Sequence, residues 1–286
     1  MEGTIIARKY RVLEKVGKGQ FGSVSRGICL NNAQKYVAIK MEQDEVNLLK
    51  HEATVLHYLD SQKCKNIPTL YYYGFQKPAA IVCIVMSFYS QGSLDIWRPN
   101  MDTEEKMHWW NTALDILEHI HKAGIVHRDL KPHHFMRDEH HEWHLIDFGL
   151  ATSYLDDNHD HIKEVPKDQI IGSPNYVSWF VHCGRDVVRR DDFLSLVYIF
   201  WELLYGSYLS TSEEAIENKY SVDVLDEFNA WLKDQKEFGR FFRLLETKPT
   251  KNDEYISFMV SLLSHAEKLK FRDKPKYELF YHLSYA

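Results

Sequence analysis

The sequence predicts an α+β fold of two lobes: a small β-rich N-lobe carrying one long helix, and a larger, mainly helical C-lobe. Three observations predict it. Short β-branched and aromatic runs separated by turn residues fill the first part of the chain. One helical segment interrupts them. After Gly92 the apolar residues recur at helical spacing. The 286 residues suffice for one large domain or for two lobes around a cleft, and 44% hydrophobic with 27% charged residues fits a folded globular chain. The predicted division is 1–86 for the N-lobe, 87–90 for a hinge and 91–286 for the C-lobe.

The first three strands are RKYRVLEKVG, GSVSRGICL and KYVAIKME, punctuated by Gly17, Gly19 and Gly22 and then by Asn31-Asn32. The helix is VNLLKHEATVLHYL (46–59), in which Leu48, Leu49, Val55, Leu56 and Leu59 share much of one face. Two further strands lie in TLYYYGF and IVCIVMSF. Asp102 and Glu105 form a capping box for a helix in TEEKMHWWNTALDILEHIHKAG, with Gly124 as its stop. A second strong helix, DDFLSLVYIFWELLYG (191–206), is apolar nearly all round, which predicts a central, buried position. The remainder, to Ala286, reads mainly as helix.

Composition excludes several classes. A formal net charge of -6 gives no basic field for nucleic acid. The run AAIVCIVMSF (79–88) is too short to span a bilayer, and MEGTIIARKYRVLEKVG has no apolar core with a cleavage site, so no membrane span and no secretory signal are expected. Cys29, Cys64, Cys83 and Cys183 form no CxxC pair and are expected to be reduced thiols of an intracellular protein. The chain ends near the end of its last predicted helix, so no autoinhibitory tail is expected within it.

The segments with chemistry follow one another in order. VGKGQFGSV (16–24) lies between two strands, where glycines let a hairpin backbone approach phosphates closely. On its own it is equally an ordinary glycine hairpin. VAIK places Lys40 on the third strand, and Glu52 on the following helix can pair with it; Glu45 is the competitor. HRDLKPHH supplies Asp129, suited to accept a hydroxyl proton, and Lys131, suited to neutralise a transferring phosphoryl group. HLIDFGLA supplies Asp147, a hard carboxylate suited to magnesium.

In this order and at these intervals the segments resemble a protein kinase, and the resemblance covers essentially the whole chain. It narrows to the casein kinase 1 group: GSPNYVSWFVHCG (172–184), RRDDFLSL (189–196) and KFRDKPKY (270–277) are similar to that group's motifs. The resemblance implies a single bilobal protein kinase domain over residues 1–286, ATP as cosubstrate with Mg2+, and transfer to Ser or Thr of a protein substrate; Mn2+ in place of Mg2+ and a monomeric state are further expectations. It assigns Lys40, Glu52, Asp129 and Lys131 to catalysis, and Val16, Gly17, Gly19, Gly22, Val24, Ala38, Lys40, Met86, Ser87, Tyr89 and Met136 to the nucleotide, with the Ser87 and Tyr89 backbone offered to adenine. Asp192 is assigned to bracing the backbone around Asp129, and Ser173 to contact with Asp129 and Lys131.

The chain departs from the pattern at His134, where the family carries an Asn that holds metal. Imidazole nitrogen suits softer divalent ions better than magnesium. Three readings follow: His134 is a metal ligand, with Asp147, that changes metal dependence; it is a structural hydrogen-bonding residue; or the protein is a pseudokinase that binds nucleotide or acts as a scaffold. Asn175 and Asp168 remove positive charge from the group's expected anion patch, and Arg185, Arg189 and Arg190 can either replace it or pair with acids. The runs DEHHEWH (138–144) and DDNHDH (156–161) contain metal-ligand residue types but match no zinc spacing.

Overall fold

The computed structural model describes residues 2–18, 22–43, 48–76, 81–206 and 254–281. Two compact units emerge, one made of Met1–Ile96 and His133–Ala151, the other of Trp97–Pro132 and Thr152–Ala286.

The first unit is built on an antiparallel sheet of six strands: β1 (Ile5–Ile6), β2 (Tyr10–Lys18), β3 (Gly22–Cys29), β4 (Asn32–Gln43), β5 (Leu70–Gln76) and β6 (Ile81–Ser87), in the order β1-β2-β3-β4-β6-β5. The period of two decides its faces. Val37, Ile39 and Met41 of β4 join Ile6, Tyr10, Val12, Cys29, Cys83 and Val85 in one apolar cluster. Ala38, Lys40 and Glu42 alternate with them and point to the other side. Helix α1 (Leu48–Ser61) buries Leu49, Ala53, Val55, Leu56 and Leu59, and also buries Glu52. Its first turn is capped from the sheet, because the buried Glu42 accepts the amide of Leu49 at 2.8 Å. A hairpin of β8 (Phe135–Arg137) and β9 (Trp143–Leu145) completes the unit; Asn66 donates to the Trp143 carbonyl at 2.9 Å.

The described part of the second unit is helices and connecting loops, including the short α4 (Trp179–His182), with one two-residue strand pair, β7 (Ile125–Val126) and β10 (Thr152–Ser153); a short α2 (Leu94–Trp97) precedes it in the chain. Helix α3 (Thr103–Lys122) starts at the predicted capping box: Asp102 accepts the Glu105 amide at 2.9 Å. Helix α5 (Arg189–Tyr205) begins two residues before the predicted start, with Asp191 accepting the Val188 amide at 2.9 Å. Every residue of α5 from Arg190 to Leu203 is buried, as its apolar circumference demands. Helix α6 (Glu254–Lys268) packs on α5 through Phe258, whose ring meets Phe200 and Trp110 edge-on. The Trp110 indole donates to the Phe280 carbonyl at 3.1 Å. The helical reading of 207–253 lies outside the described residues. No described helix is long and apolar enough to cross a membrane.

One polar cluster sits in this helical core. His121 of α3 touches the Tyr277 hydroxyl through Nδ1 and Asp192 of α5 through Nε2 at 3.0 Å, and all three are buried. Burial holds the His121 imidazole below its ordinary 6.5, against the pull of Asp192. The unfolded chain therefore binds this proton first as pH falls. Stability from the neutral, buried ring is present above about pH 6.5 and is lost as pH drops toward the lower folded value. We expect the melting temperature to fall on acidification through this window. His121→Gln should be less stable at pH 7.5, with a shallower slope between pH 6.5 and 5; equal slopes in thermal melts would count against this.

Candidate active site

In the β-rich unit the site grows from Lys40. Its strand neighbours are Val24 of β3 and Ile84 of β6, so the base of the side chain is fixed by sheet register. Its ammonium reaches Glu52 Oε1 at 2.7 Å and Oε2 at 3.0 Å, and Asp147 Oδ1 at 3.1 Å. Burial opposes the charge, but the Glu52 and Asp147 carboxylates outweigh it and hold the ammonium above its ordinary range. Glu52 is the partner the structure gives Lys40; Glu45 lies outside the described residues. The neighbouring residue on α1, His51, contacts the Ala151 carbonyl through Nε2 at 2.7 Å. Two consecutive residues of α1 thus face the 147–151 segment: Glu52 through Lys40 and by accepting the Phe148 amide, His51 at the Ala151 carbonyl. Nothing in the sequence singled out His51.

Asp147 adopts a left-handed backbone at φ 67°. For a non-glycine residue this conformation costs about 1–3 kcal/mol and persists only where surroundings enforce it. Its two oxygens face different partners, Lys40 at Oδ1 and His134 Nε2 at Oδ2, 3.5 Å away. His134 ends a short 3-10 turn before β8 and is buried, and its carbonyl accepts the Ile146 amide at 2.9 Å. The half-exposed Asp147 carboxylate fits a divalent cation as one hard oxygen ligand. His134 would add a nitrogen, not a second oxygen. Among the described residues no group of three or more His, Cys, Asp or Glu side chains is arranged to hold a metal ion.

The remaining residues assigned to nucleotide divide by position. Ala38 and Met86 are register partners on β4 and β6, and both are buried. Gly17 pairs with Val24 across β2 and β3; Val16 beside it is half exposed. Ser87 closes β6, Tyr89 follows it buried, and Met136 of β8 bridges to Ser93. Gly19 lies outside the described residues. Gly22 has a steric reason of its own to be glycine: a Cβ there would run into the Met41 carbonyl of β4, whereas a Cβ on Gly17 would meet only Val24 at 3.8 Å.

In the helical unit Asp192 accepts the His127 amide at 2.6 Å and the Arg128 amide at 2.9 Å. This holds the turn in which Arg128 takes a left-handed φ of 69°. Asp129 Oδ1 accepts both the amide and the hydroxyl of Ser173, at 2.8 and 2.7 Å. Lys131 lies 3.1 Å from Asp129 Oδ2 and donates to the Ser173 hydroxyl at 3.1 Å. Gly172, at φ +104°, lets this segment approach, since a Cβ would strike the Arg128 carbonyl. The basic residues near the segment are paired with acids: Arg185 with Glu164 at 3.2 Å, Lys167 with Asp186 at 3.2 Å, and the buried Arg190 with Asp191 at 3.5 Å. Arg189 donates to the Tyr154 hydroxyl and the Arg272 carbonyl.

These two sets of side chains, a lysine–glutamate–aspartate group and an aspartate–lysine–serine group, accompany a match to the family model of the protein kinase domain over residues 10–271. The chain belongs to that family. It is similar to a casein kinase I homolog of Kluyveromyces lactis, 25% identical over 285 residues that cover 97% of this chain and 50% of that protein. A probable casein kinase I homolog of Encephalitozoon cuniculi is 28% identical over 280 residues, covering 97% and 83%. Casein kinase I homolog 1 of Saccharomyces cerevisiae is 27% identical over 286 residues, covering 97% and 50%. These similarities support membership of the casein kinase 1 group. The chain spans about half the length of the two yeast relatives.

The two glycines should separate on substitution. Without nucleotide, Gly22→Ala should cost about 2 kcal/mol or more through backbone overlap, and Gly17→Ala should stay within about 0.5 kcal/mol. Denaturant melts compare them; equal costs would refute the steric argument.

Proposed function

We propose that this protein is an ATP-dependent serine/threonine protein kinase of the casein kinase 1 type. The observation that carries the reading is the partly buried Lys40 ammonium shared by Glu52 and Asp147. A lysine held charged this way is directed at phosphate oxygens, and an isolated surface pair would have no need of it. In this reading Lys40 binds the nucleotide phosphates. A divalent cation held by Asp147 would offset negative charge on the phosphates. Asp129 orients the attacking hydroxyl and accepts its proton as the new O–P bond forms and the bond between the γ-phosphorus and its bridging oxygen breaks. Lys131 balances charge on the phosphoryl group in transit. Ser173 fixes the Asp129 carboxylate through two donors, leaving Oδ2 to Lys131 and the incoming hydroxyl. Asp129→Asn should lower phosphate transfer to a generic protein substrate about a thousandfold, while ATP still raises the melting temperature. Transfer at the wild-type rate would exclude Asp129 as the base.

One observation favours a second reading, the pseudokinase. The His134 imidazole faces Asp147 Oδ2, the place where a metal would compete for the same oxygen. The active reading expects that Asp147 still holds one ion and that the nitrogen ligand shifts preference toward manganese. His134→Asn should then raise magnesium-supported turnover and narrow the gap between the two metals. If ATP binds and both proteins are inactive with both metals, the pseudokinase reading replaces the first. If wild type is fully active with magnesium and His134→Asn changes nothing, His134 is structural only.

A further inference from the structure

The DEHHEWH run plays no part in the chemistry above, yet its side chains are not idle. Asp138 Oδ1 accepts the amides of His140 and Glu142, each at 2.9 Å, which fixes the turn between β8 and β9. Asp138 Oδ2 faces His144 Nε2 at 2.9 Å. The other ring nitrogen of His144, Nδ1, is buried with no hydrogen-bond partner among the described residues. A neutral His144 therefore carries its proton on Nε2 and donates it to Asp138. So oriented, the imidazole lies flat on the Tyr89 ring, with centroids 4.1 Å apart and planes 15° from parallel.

Tyr89 is buried and stands in the short segment that follows β6. Side chains on its β5 side hold the start of that segment. The Tyr89 hydroxyl hydrogen-bonds Ser87, and the Ser87 hydroxyl meets the Tyr71 hydroxyl at 3.1 Å and accepts the Thr69 amide at 3.2 Å. Further along, Gln91 donates to the Arg137 carbonyl at 3.0 Å and Arg137 to the Gly92 carbonyl at 2.9 Å. These backbone bonds set the register of 91–92 on the hairpin. The flat face of His144 is what the Tyr89 ring rests on.

We propose that His144 is a positioning residue for nucleotide: held by Asp138, it supports Tyr89 and so sets the backbone of Ser87–Tyr89 where adenine is bound. This rests on the kinase reading, which gives the Ser87 and Tyr89 backbone to adenine. Hydrogen bonds to the edge of a base tolerate displacements of only a few tenths of an ångström, so a ring that settles the Tyr89 side chain acts on affinity without touching the ligand. The same arrangement leaves Lys40, Asp129 and Asp147 untouched. Loss of His144 should therefore raise KM for ATP and spare kcat.

The test measures ATP binding by calorimetry, KM for ATP and kcat separately, and the melting temperature, for wild type, His144→Ala and His144→Phe. His144→Ala should bind ATP about five- to tenfold more weakly, the worth of one aromatic stack, with kcat at saturating ATP within about twofold of wild type. His144→Phe keeps a ring under Tyr89 and should recover most of the affinity, although it loses the bond to Asp138. If His144→Ala does not fold, His144→Leu fills the space without a ring and should show the same weakening. The proposal is overturned if the ring-less variant binds ATP as wild type does, if His144→Phe is as weak as the ring-less variant, or if kcat falls while affinity holds. Wild type that binds no ATP would overturn the kinase reading itself, a result separate from these.

Discussion

An ammonium largely withdrawn from water must be matched by anions, and much of the β-rich unit is arranged around that requirement at Lys40. Three segments meet there: a strand, the helix that follows it and the distant loop at Asp147. The sheet fixes the lysine and α1 brings a glutamate. The loop accepts an unfavourable left-handed backbone at Asp147, which sets a carboxylate beside the lysine. A charge so deep costs several kcal/mol unless paired. Removing either acid would therefore disturb the packing of α1 as well as the lysine. The cap from Glu42 and the His51 contact at Ala151 act on the same helix at two other points. The orientation of Glu52 thus rests on Lys40 and the Phe148 amide directly, and on these two attachments of its helix.

The helical unit solves a related problem with the signs reversed. Asp192 is a buried carboxylate, and burial alone would push its proton affinity up. The His121 ring and the backbone amides of His127 and Arg128 more than reverse that, and the group stays ionised. Its donors come from the turn that precedes Asp129, so the anion in α5 dictates the shape of that turn. Tyr277, near the last described residues, reaches the same aspartate through His121. A residue late in the chain is in this way part of the support for residues 127–129.

The strands and the two long helices were legible because each depends on local pattern. Alternation marks β4, the pair Asp102 and Glu105 marks the start of α3, and the nearly complete apolar circumference of α5 marks its burial. The pairing of Lys40 with Glu52 was legible from the order of a glycine hairpin, a strand lysine and a helical glutamate. Contacts across long sequence separations were not. His51 with Ala151 and His121 with Tyr277 have no periodicity to reveal them, since each is fixed by how elements pack. The two-residue strand β1 is too short for alternation to show. DEHHEWH holds metal-ligand residue types without a zinc spacing, and the geometry gives its aspartate to two backbone amides and one imidazole. For Arg185 and Arg190 the sequence left open an anion site or pairing with acids, and the fold gives each a carboxylate neighbour.

Gly22 belongs to a glycine-rich stretch of the kind used to recognise nucleotide-binding proteins, yet the backbone of β4 already forbids any side chain there. Selection for a foldable sheet alone would keep it. A descendant that had abandoned ATP would retain Gly22 for as long as it retained the sheet, while Gly17, under no such steric bar, would be free to drift. Between the two, Gly17 is the better record of when a lineage stopped using nucleotide, and Gly22 records only the ancestry of the architecture.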